Sequence, residues 1–237
     1  MDFIEGEILA FDKPYRWTSF DVVGKTRWML CRKLGVKRLK VGHTGTLDPL
    51  ATGVVVVCTG KKTKLIDQLQ QHTKEYIATL QLGATTPSFD LEKPIDATYP
   101  TEHINLSLIQ EVIPRFQGEI WQVPPTFSAV KVDGKRAYAY ARKGEDIELK
   151  PKLLVIDEIE ILGYDDHAKQ LTLRIVCSKG TYIRALARDI GQALGSGAHL
   201  VALRRTRVGD IRVEDCLDFT QFATLLETSQ TCQTSQT

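Results

Sequence analysis

Thirteen residues constrain this chain more than any others: Val41-Gly42-His43-Thr44-Gly45-Thr46-Leu47-Asp48-Pro49-Leu50-Ala51-Thr52-Gly53. They include three glycines, one proline, one histidine and a single carboxylate, and no other charged residue. Glycine lets a backbone take positive φ and come close to a ligand. Val54-Val55-Val56-Val57-Cys58 follows at once, and an apolar run of this kind reads as a buried strand. The expectation is a tight loop that sets Asp48 at the mouth of that strand, where binding and catalytic residues collect.

Before the loop, Glu7 to Phe11 reads as a short strand closed by Asp12-Lys13-Pro14. Thr18, with Asp21 three residues on, makes a capping box. The helix it opens has Phe20, Val22, Val23, Trp28, Met29 and Leu30 as apolar positions and carries Lys25, Arg27, Arg32 and Lys33. Lys37, Arg38 and Lys40 continue the basic run, and no acidic residue lies between Val22 and Leu47. Such a run serves either as a solvated face or as a phosphate-tracking surface, and the adjoining glycine-rich loop favours the second.

After the loop, Gly60-Lys61-Lys62-Thr63-Lys64 leads into a short helix through Leu65, Ile66 and Leu69. Lys74 to Gly83 alternates apolar and polar residues, as a half-buried strand does. Thr85 to Pro100 is turn-rich and acidic, and Leu108 to Phe116 reads as a helix stopped by Gly118. Phe127 to Val132 is an expected strand turning at Asp133-Gly134. Basic residues then interleave with Tyr138 and Tyr140, which suits either nucleic-acid stacking or a helix that buries its tyrosines. Leu153 to Leu162 and Gln170 to Cys177 read as two strands, and Thr181 to about Leu194 as a helix ended by Gly191, Gly195 and Gly197. Leu200 to Val208 carries Arg204, Arg205 and Arg207, and Phe219 to Leu226 is a last helix. Elements alternate irregularly and the turns are hairpin-like. The expected class is α/β of the α+β type, with a mixed, mainly antiparallel central sheet flanked by helices.

Composition excludes several functions. No stretch approaches the roughly 18 apolar residues of a membrane helix. Asp2, Glu5 and Glu7 do not make a signal sequence, so a soluble cytoplasmic protein is expected. Five scattered cysteines with no C-x-x-C pair fit reduced thiols, and no second histidine stands at ligand spacing from His43. Neither a metal nor a cofactor is called for. The loop lacks the lysine-containing phosphate-loop pattern, which argues against nucleotide hydrolysis. Alone, Asp48 before Pro49 also fits a turn aspartate, and His43 fits a base or a hydrogen-bonding or stacking residue.

The segment Gly42 to Gly53 resembles the signature loop of the TruB-type tRNA pseudouridine synthases, which modify uridine 55 in the tRNA T-loop. Other blocks follow in the family's order. Lys13-Pro14 resembles its N-terminal motif, Lys74-Glu75-Tyr76 its tyrosine strand, and Ser178 to Arg184 its third motif. Leu203-Arg204-Arg205-Thr206 resembles its closing motif, so the likeness covers roughly residues 5 to 215. It implies a pseudouridine synthase fold and a cofactor-free, metal-free isomerisation. The N1–C1′ bond of uridine breaks, the base turns, and it rejoins through C5.

By the same resemblance the catalytic residues are Asp48, Arg184, which pairs with it, and Tyr76, which lies against the target base. Leu203 packs beside that base, His43 fills the space it vacates, Tyr182 lines the pocket, and Lys13 belongs to the substrate-binding set. The basic stretches Lys25 to Lys40, Lys61 to Lys64 and Arg204 to Arg207 would neutralise the T-arm backbone. The family's RNA-clamping insertion corresponds to residues 122–151. Too few residues follow Asp215 for the RNA-binding PUA domain of many members. The expectation is therefore one catalytic domain over 1–227, a disordered polar tail over 228–237, and a monomer whose partner is the tRNA T-stem-loop.

Overall fold

The computed structural model describes residues 1–128, 130–132, 135–137, 140, 147 and 149–228. The expected turn at Asp133-Gly134, Tyr138 and the tail from 229 onward lie outside the described residues. Along the chain run β1 (Ile8–Lys13), α1 (Ser19–Leu34), β2 (Val41–His43), β3 (Thr52–Thr59), α2 (Ile66–Leu69) and β4 (Lys74–Leu82). Then come β5 (Ala84–Thr85), β6 (Ala97–Thr98), α3 (Leu106–Val112), β7 (Gly118–Gln122), β8 (Lys131–Val132) and β9 (Lys135–Arg136). β10 (Lys152–Asp165) and β11 (Gln170–Cys177) precede a helix over Ile183–Ala193. β12 (Ala198–Val208), β13 (Ile211–Arg212) and a helix over Phe219–Thr228 close the described chain. The class is the expected one: mixed α/β with a mostly antiparallel sheet.

Contacts divide the chain into two units, one formed by Met1–Lys74 with the chain from Arg204 onward, the other by Glu75–Leu203. In the first unit β3 is the organising strand, and from Gly53 to Thr59 every residue of it is buried. β1 lies antiparallel on one side, with Lys13 opposite Gly53. On the other side β2 pairs antiparallel with its far end, and β12 pairs parallel with its start, with Arg205 opposite Gly53. The segment between β2 and β3 is thus a hairpin loop, and Asp48 sits on it.

α1 packs here because Ser19, Val22, Val23, Thr26 and Leu30 fall on one buried stripe. Its start is the expected capping box. The Thr18 hydroxyl accepts from the Asp21 amide, and the Asp21 carboxylate accepts from the Thr18 amide. Gly35 ends it in the left-handed region, at φ 66°. Below β1, Phe11 stacks on Phe219 at 4.9 Å and meets Phe222 edge-on at 5.2 Å, which seats the closing helix.

The second unit orders its strands β4-β11-β10-β7. Lys74, Tyr76, Ala78, Leu80 and Leu82 form the buried face of β4, the alternation expected from the sequence. Three expectations need correction. The strand expected over Phe127 to Val132 is confined to Lys131–Val132, because Thr126 O accepts from the Ser128 amide in a bend that takes Phe127 and Ser128 out of extended backbone. Gly191 does not end its helix: it lies within it, where a Cβ would collide with Ala198. The helix after Asn105 is α only as far as Val112 and continues as a 3₁₀ turn over Ile113–Phe116, because Pro114 has no amide to carry the α pattern on.

Gly53 has φ +107°, and a Cβ there would run into the Arg205 backbone. Gly53→Ala should lower stability by more than about 2 kcal/mol. Gly24, in α1 with open space around it, should gain stability on change to alanine. Urea unfolding of both variants checks the contrast.

Candidate active site

The Asp48 loop is held by its own backbone carbonyls. Arg205, buried on β12, donates from Nη2 to Gly45 O at 3.3 Å and from Nη1 to Thr46 O at 3.2 Å. Its Nε donates to Val54 O at 2.7 Å. The Ser19 hydroxyl donates to Leu47 O and accepts from the Leu47 amide, tying the loop to the first turn of α1. Asp48 O accepts from the Ala51 amide, and Pro49 O from the Arg16 amide at 2.8 Å. Lys13 Nζ also donates to Pro49 O, at 3.3 Å, and to Pro14 O and Trp17 O. Every carbonyl from Gly45 to Pro49 is therefore bonded, and two buried cations bracket Asp48.

This clustering sets the electrostatics. Lys13 is wholly buried, and burial pulls its ammonium down to about 8; Asp48 opposes that shift and Arg205 adds to it. His43, on β2, is lowered from its ordinary value, first by burial and then by the Arg205 charge, which keeps its imidazole neutral near pH 7. Its Nδ1 is buried with no hydrogen-bond partner among the described residues. Lys13, His43 and Asp48 are thus brought together within the first unit.

The second unit gathers the others. Arg184, in the first turn of the helix Ile183–Ala193, is buried. It donates from Nη1 to Ser88 O and from Nη2 to Phe127 O, both at 3.0 Å, and its Nε stands 3.5 Å from an Asp90 carboxylate oxygen. Tyr182 precedes that helix, with its amide on Gln122 Oε1 at 2.9 Å and its carbonyl accepting from Gln122 Nε2. Tyr76 is buried on β4, and Leu203 is half-buried on β12.

Sequence reasoning missed Ser19, Gln122, Asp90 and the role of Arg205. Asp90 was visible only as one acid in a turn-rich stretch. Arg205 does not face RNA with the rest of the basic series Arg204 to Arg207, because its guanidinium is buried on loop carbonyls. Arg204 is also paired, with Asp12 at 2.7 Å. Lys61 and Lys62 pair with Glu5 and Glu7, so this stretch is less cationic than its sequence suggests.

In the run before the loop Lys37, Arg38 and Lys40 are exposed, while Arg27 is half-buried and donates from Nη2 to Val41 O at 3.0 Å. Arg27, Lys37, Arg38 and Lys40 line a groove of about 720 Å³ floored by Val41, Gly42 and Ile66. Lys25 and Arg32 flank the exposed Trp28 ring, at 4.9 and 5.5 Å from its centroid. Among the described residues no cluster of three or more His, Cys, Asp or Glu could hold a metal ion, and no helix is long and apolar enough to cross a membrane.

Two family models match the chain. The N-terminal domain of the TruB family pseudouridylate synthases matches residues 32–183, and the C-terminal domain of tRNA pseudouridylate synthase B matches residues 184–236. The chain is 68% identical over 227 residues to a tRNA pseudouridine synthase B of Phocaeicola vulgatus, covering 96% of each. It is 66% identical over 223 residues to one of Bacteroides fragilis, covering 94% of this chain and 95% of the relative. Among solved structures it is similar to a chain of a Cbf5-Nop10-Gar1 complex, with TM-score 0.68 and 29% identity, over 94% of this chain and 54% of the other. It thus spans about half the length of that protein.

The depressed Lys13 pKa has a checkable sign. Between about pH 8 and the ordinary value of 10.5 the unfolded chain holds the proton and the folded chain does not. Stability from this group therefore rises with pH through that window, and the burial penalty is fully present below it. The stability difference between the unmodified protein and Lys13→Met should shift in favour of lysine from about pH 7 to about pH 10. An unchanged difference in urea unfolding would mean that Lys13 stays charged throughout.

Proposed function

This chain belongs to the TruB family of pseudouridylate synthases, and we propose that it isomerises uridine to pseudouridine in tRNA, at position 55 of the T-loop. The observation that carries the reading is the Asp48 loop: one carboxylate on a backbone whose neighbouring carbonyls are all bonded, in the segment that resembles the family's signature. A preformed loop of this kind presents its carboxylate without a reorganisation cost at the moment of reaction.

In this reading residues 1–227 act as one catalytic domain. The target uridine leaves its stack, at a cost of a few kcal/mol, and its base is held by contacts that replace that stacking. Tyr76 and Leu203 supply those contacts, Tyr182 lines the pocket, and the neutral His43 occupies the space the base leaves. Asp48, ionised, acts on the sugar or the base as the N1–C1′ bond breaks. The base turns, C5 bonds to C1′, the C5 proton departs to solvent, and N1 gains a proton. Atoms and charge balance without a cofactor. Arg184 directs the carboxylate by a forked, charged pair, and Asp90, Ser88 and Phe127 fix that guanidinium in turn. Lys13 holds the loop from beneath. The groove formed by Arg27, Lys37, Arg38 and Lys40 suits RNA phosphates, whose binding weakens steeply as salt rises.

Transcript tRNA carrying tritium at C5 of uridine tests the proposal. The protein should release tritium, Asp48→Ala should not, and a transcript with cytidine at position 55 should lose the signal. Release unaffected by Asp48→Ala would defeat the catalytic assignment, leaving an RNA-binding protein that keeps the pocket. Release from the cytidine transcript would defeat the site assignment alone.

Arg184→Lys separates chemistry from binding. Lysine offers a single nitrogen and cannot make the forked contacts. The single-turnover rate should fall by about 10²-fold or more, with a smaller change in tRNA affinity. Lost affinity with an intact rate at saturation would make Arg184 a phosphate contact.

A further inference from the structure

Gly53 stands between two cations. Lys13 on β1 and Arg205 on β12 are its opposite partners, one across an antiparallel pair and the other across a parallel one. Both side chains run to the loop that precedes Gly53, yet they serve different halves of it. Lys13 reaches Pro49 O, after the carboxylate, whereas Arg205 reaches Gly45 O and Thr46 O, before it. From the same guanidinium Arg205 also reaches Val54 O, in the strand that the loop feeds. It joins the loop's ascending limb to the start of β3, beside the Thr44 amide's bond to Val56 O.

We infer that Arg205 is a positioning residue for Asp48: its guanidinium fixes the ascending limb of the loop, and so the direction of the carboxylate, without touching RNA. Three observations carry this. The residue is buried, with only 2% of its surface exposed, which leaves no room for a phosphate contact. Its donors meet three carbonyls on two different segments, a geometry that needs a planar fork. Thr46, one of those acceptors, is itself exposed, although its carbonyl is bonded inward to Arg205. Removing the fork would leave the Gly45 and Thr46 carbonyls without those donors and let Asp48 wander by a fraction of its own length. A displacement of about 1 Å at a reacting group costs about 10²-fold in rate.

The inference rests on Asp48 being the reacting carboxylate, and the test separates the two. Arg205→Lys keeps the charge and loses the fork; Arg205→Gln loses both. Under single-turnover conditions with saturating tRNA, both variants should lose about 10²-fold in rate, while tRNA affinity and its salt dependence stay close to those of the unmodified protein. In Arg205→Gln the His43 imidazole, followed by NMR, should titrate at a higher pH because the nearby charge is gone. A wild-type rate in Arg205→Lys would overturn the inference, as would lost affinity with the rate at saturation intact. An unmoved His43 titration in Arg205→Gln would show that the charge does not lie beside the loop, and would also overturn it. If neither variant folds, the Arg205 Nε–H resonance of the unmodified protein decides: slow solvent exchange without RNA supports the buried fork, and the fast exchange of an exposed guanidinium contradicts it. If the unmodified protein releases no tritium from tRNA, the reaction assignment fails, while the titration and exchange results still report on the fork.

Discussion

The feature on which the first unit depends is the row Lys13, Gly53, Arg205 across three adjacent strands. A cation buried away from water is costly unless hydrogen bonds replace its hydration. Here each cation finds carbonyl oxygens, and each carbonyl belongs to the Asp48 loop, to a segment that borders it, or to the β1–α1 turn. Neither side is stable without the other. The loop's backbone would be unsatisfied without the cations, and the cations would be stranded without the loop. The glycine between them completes the arrangement, because Gly53 has a positive φ and lies against the Arg205 backbone where any side chain would collide.

From this row the rest of the first unit follows. β3 must be buried on both faces to sit between β1 and the partners on its other side, and its four valines meet that demand. α1 must begin where it does, because Ser19 at its first turn binds both the amide and the carbonyl of Leu47. Its capping box fixes that start in sequence. The aromatic cluster of Phe11, Phe219 and Phe222 holds β1 from below, so the strand that carries Lys13 is not free to slide. Each step links a local preference to the placement of one loop.

Much of this was legible in the sequence. Short-range patterns were read well because their causes are short-range: the capping box at Thr18, the buried valine strand and the period-two alternation from Lys74 all stand in the structure. The site loop was legible because its glycines, its proline and its one carboxylate lie together. Arg205 was not. Beside Arg204 and Arg207 it looks like part of a surface charge run, and only its parallel pairing with Gly53, some 150 residues earlier in the chain, shows that it faces inward. Asp90 and Gln122 were hidden for the same reason: each binds a residue of the Tyr182–Arg184 segment far away in sequence. Local sequence carries propensity, and the sheet register carries the rest.

In the free protein the Asp48 loop is preformed by hydrogen bonds to its backbone. Native-state hydrogen exchange on the RNA-free chain tests it most directly. The reporting amides are Thr44, bonded to Val56 O; Leu47, bonded to the Ser19 hydroxyl; and Arg16, bonded to Pro49 O. These amides should exchange slowly without RNA, with opening free energies close to those of the β3 core, and bound tRNA should add little. Fast exchange at these positions in the free protein, slowed only when tRNA binds, would show that the substrate orders the loop and that it is not preformed.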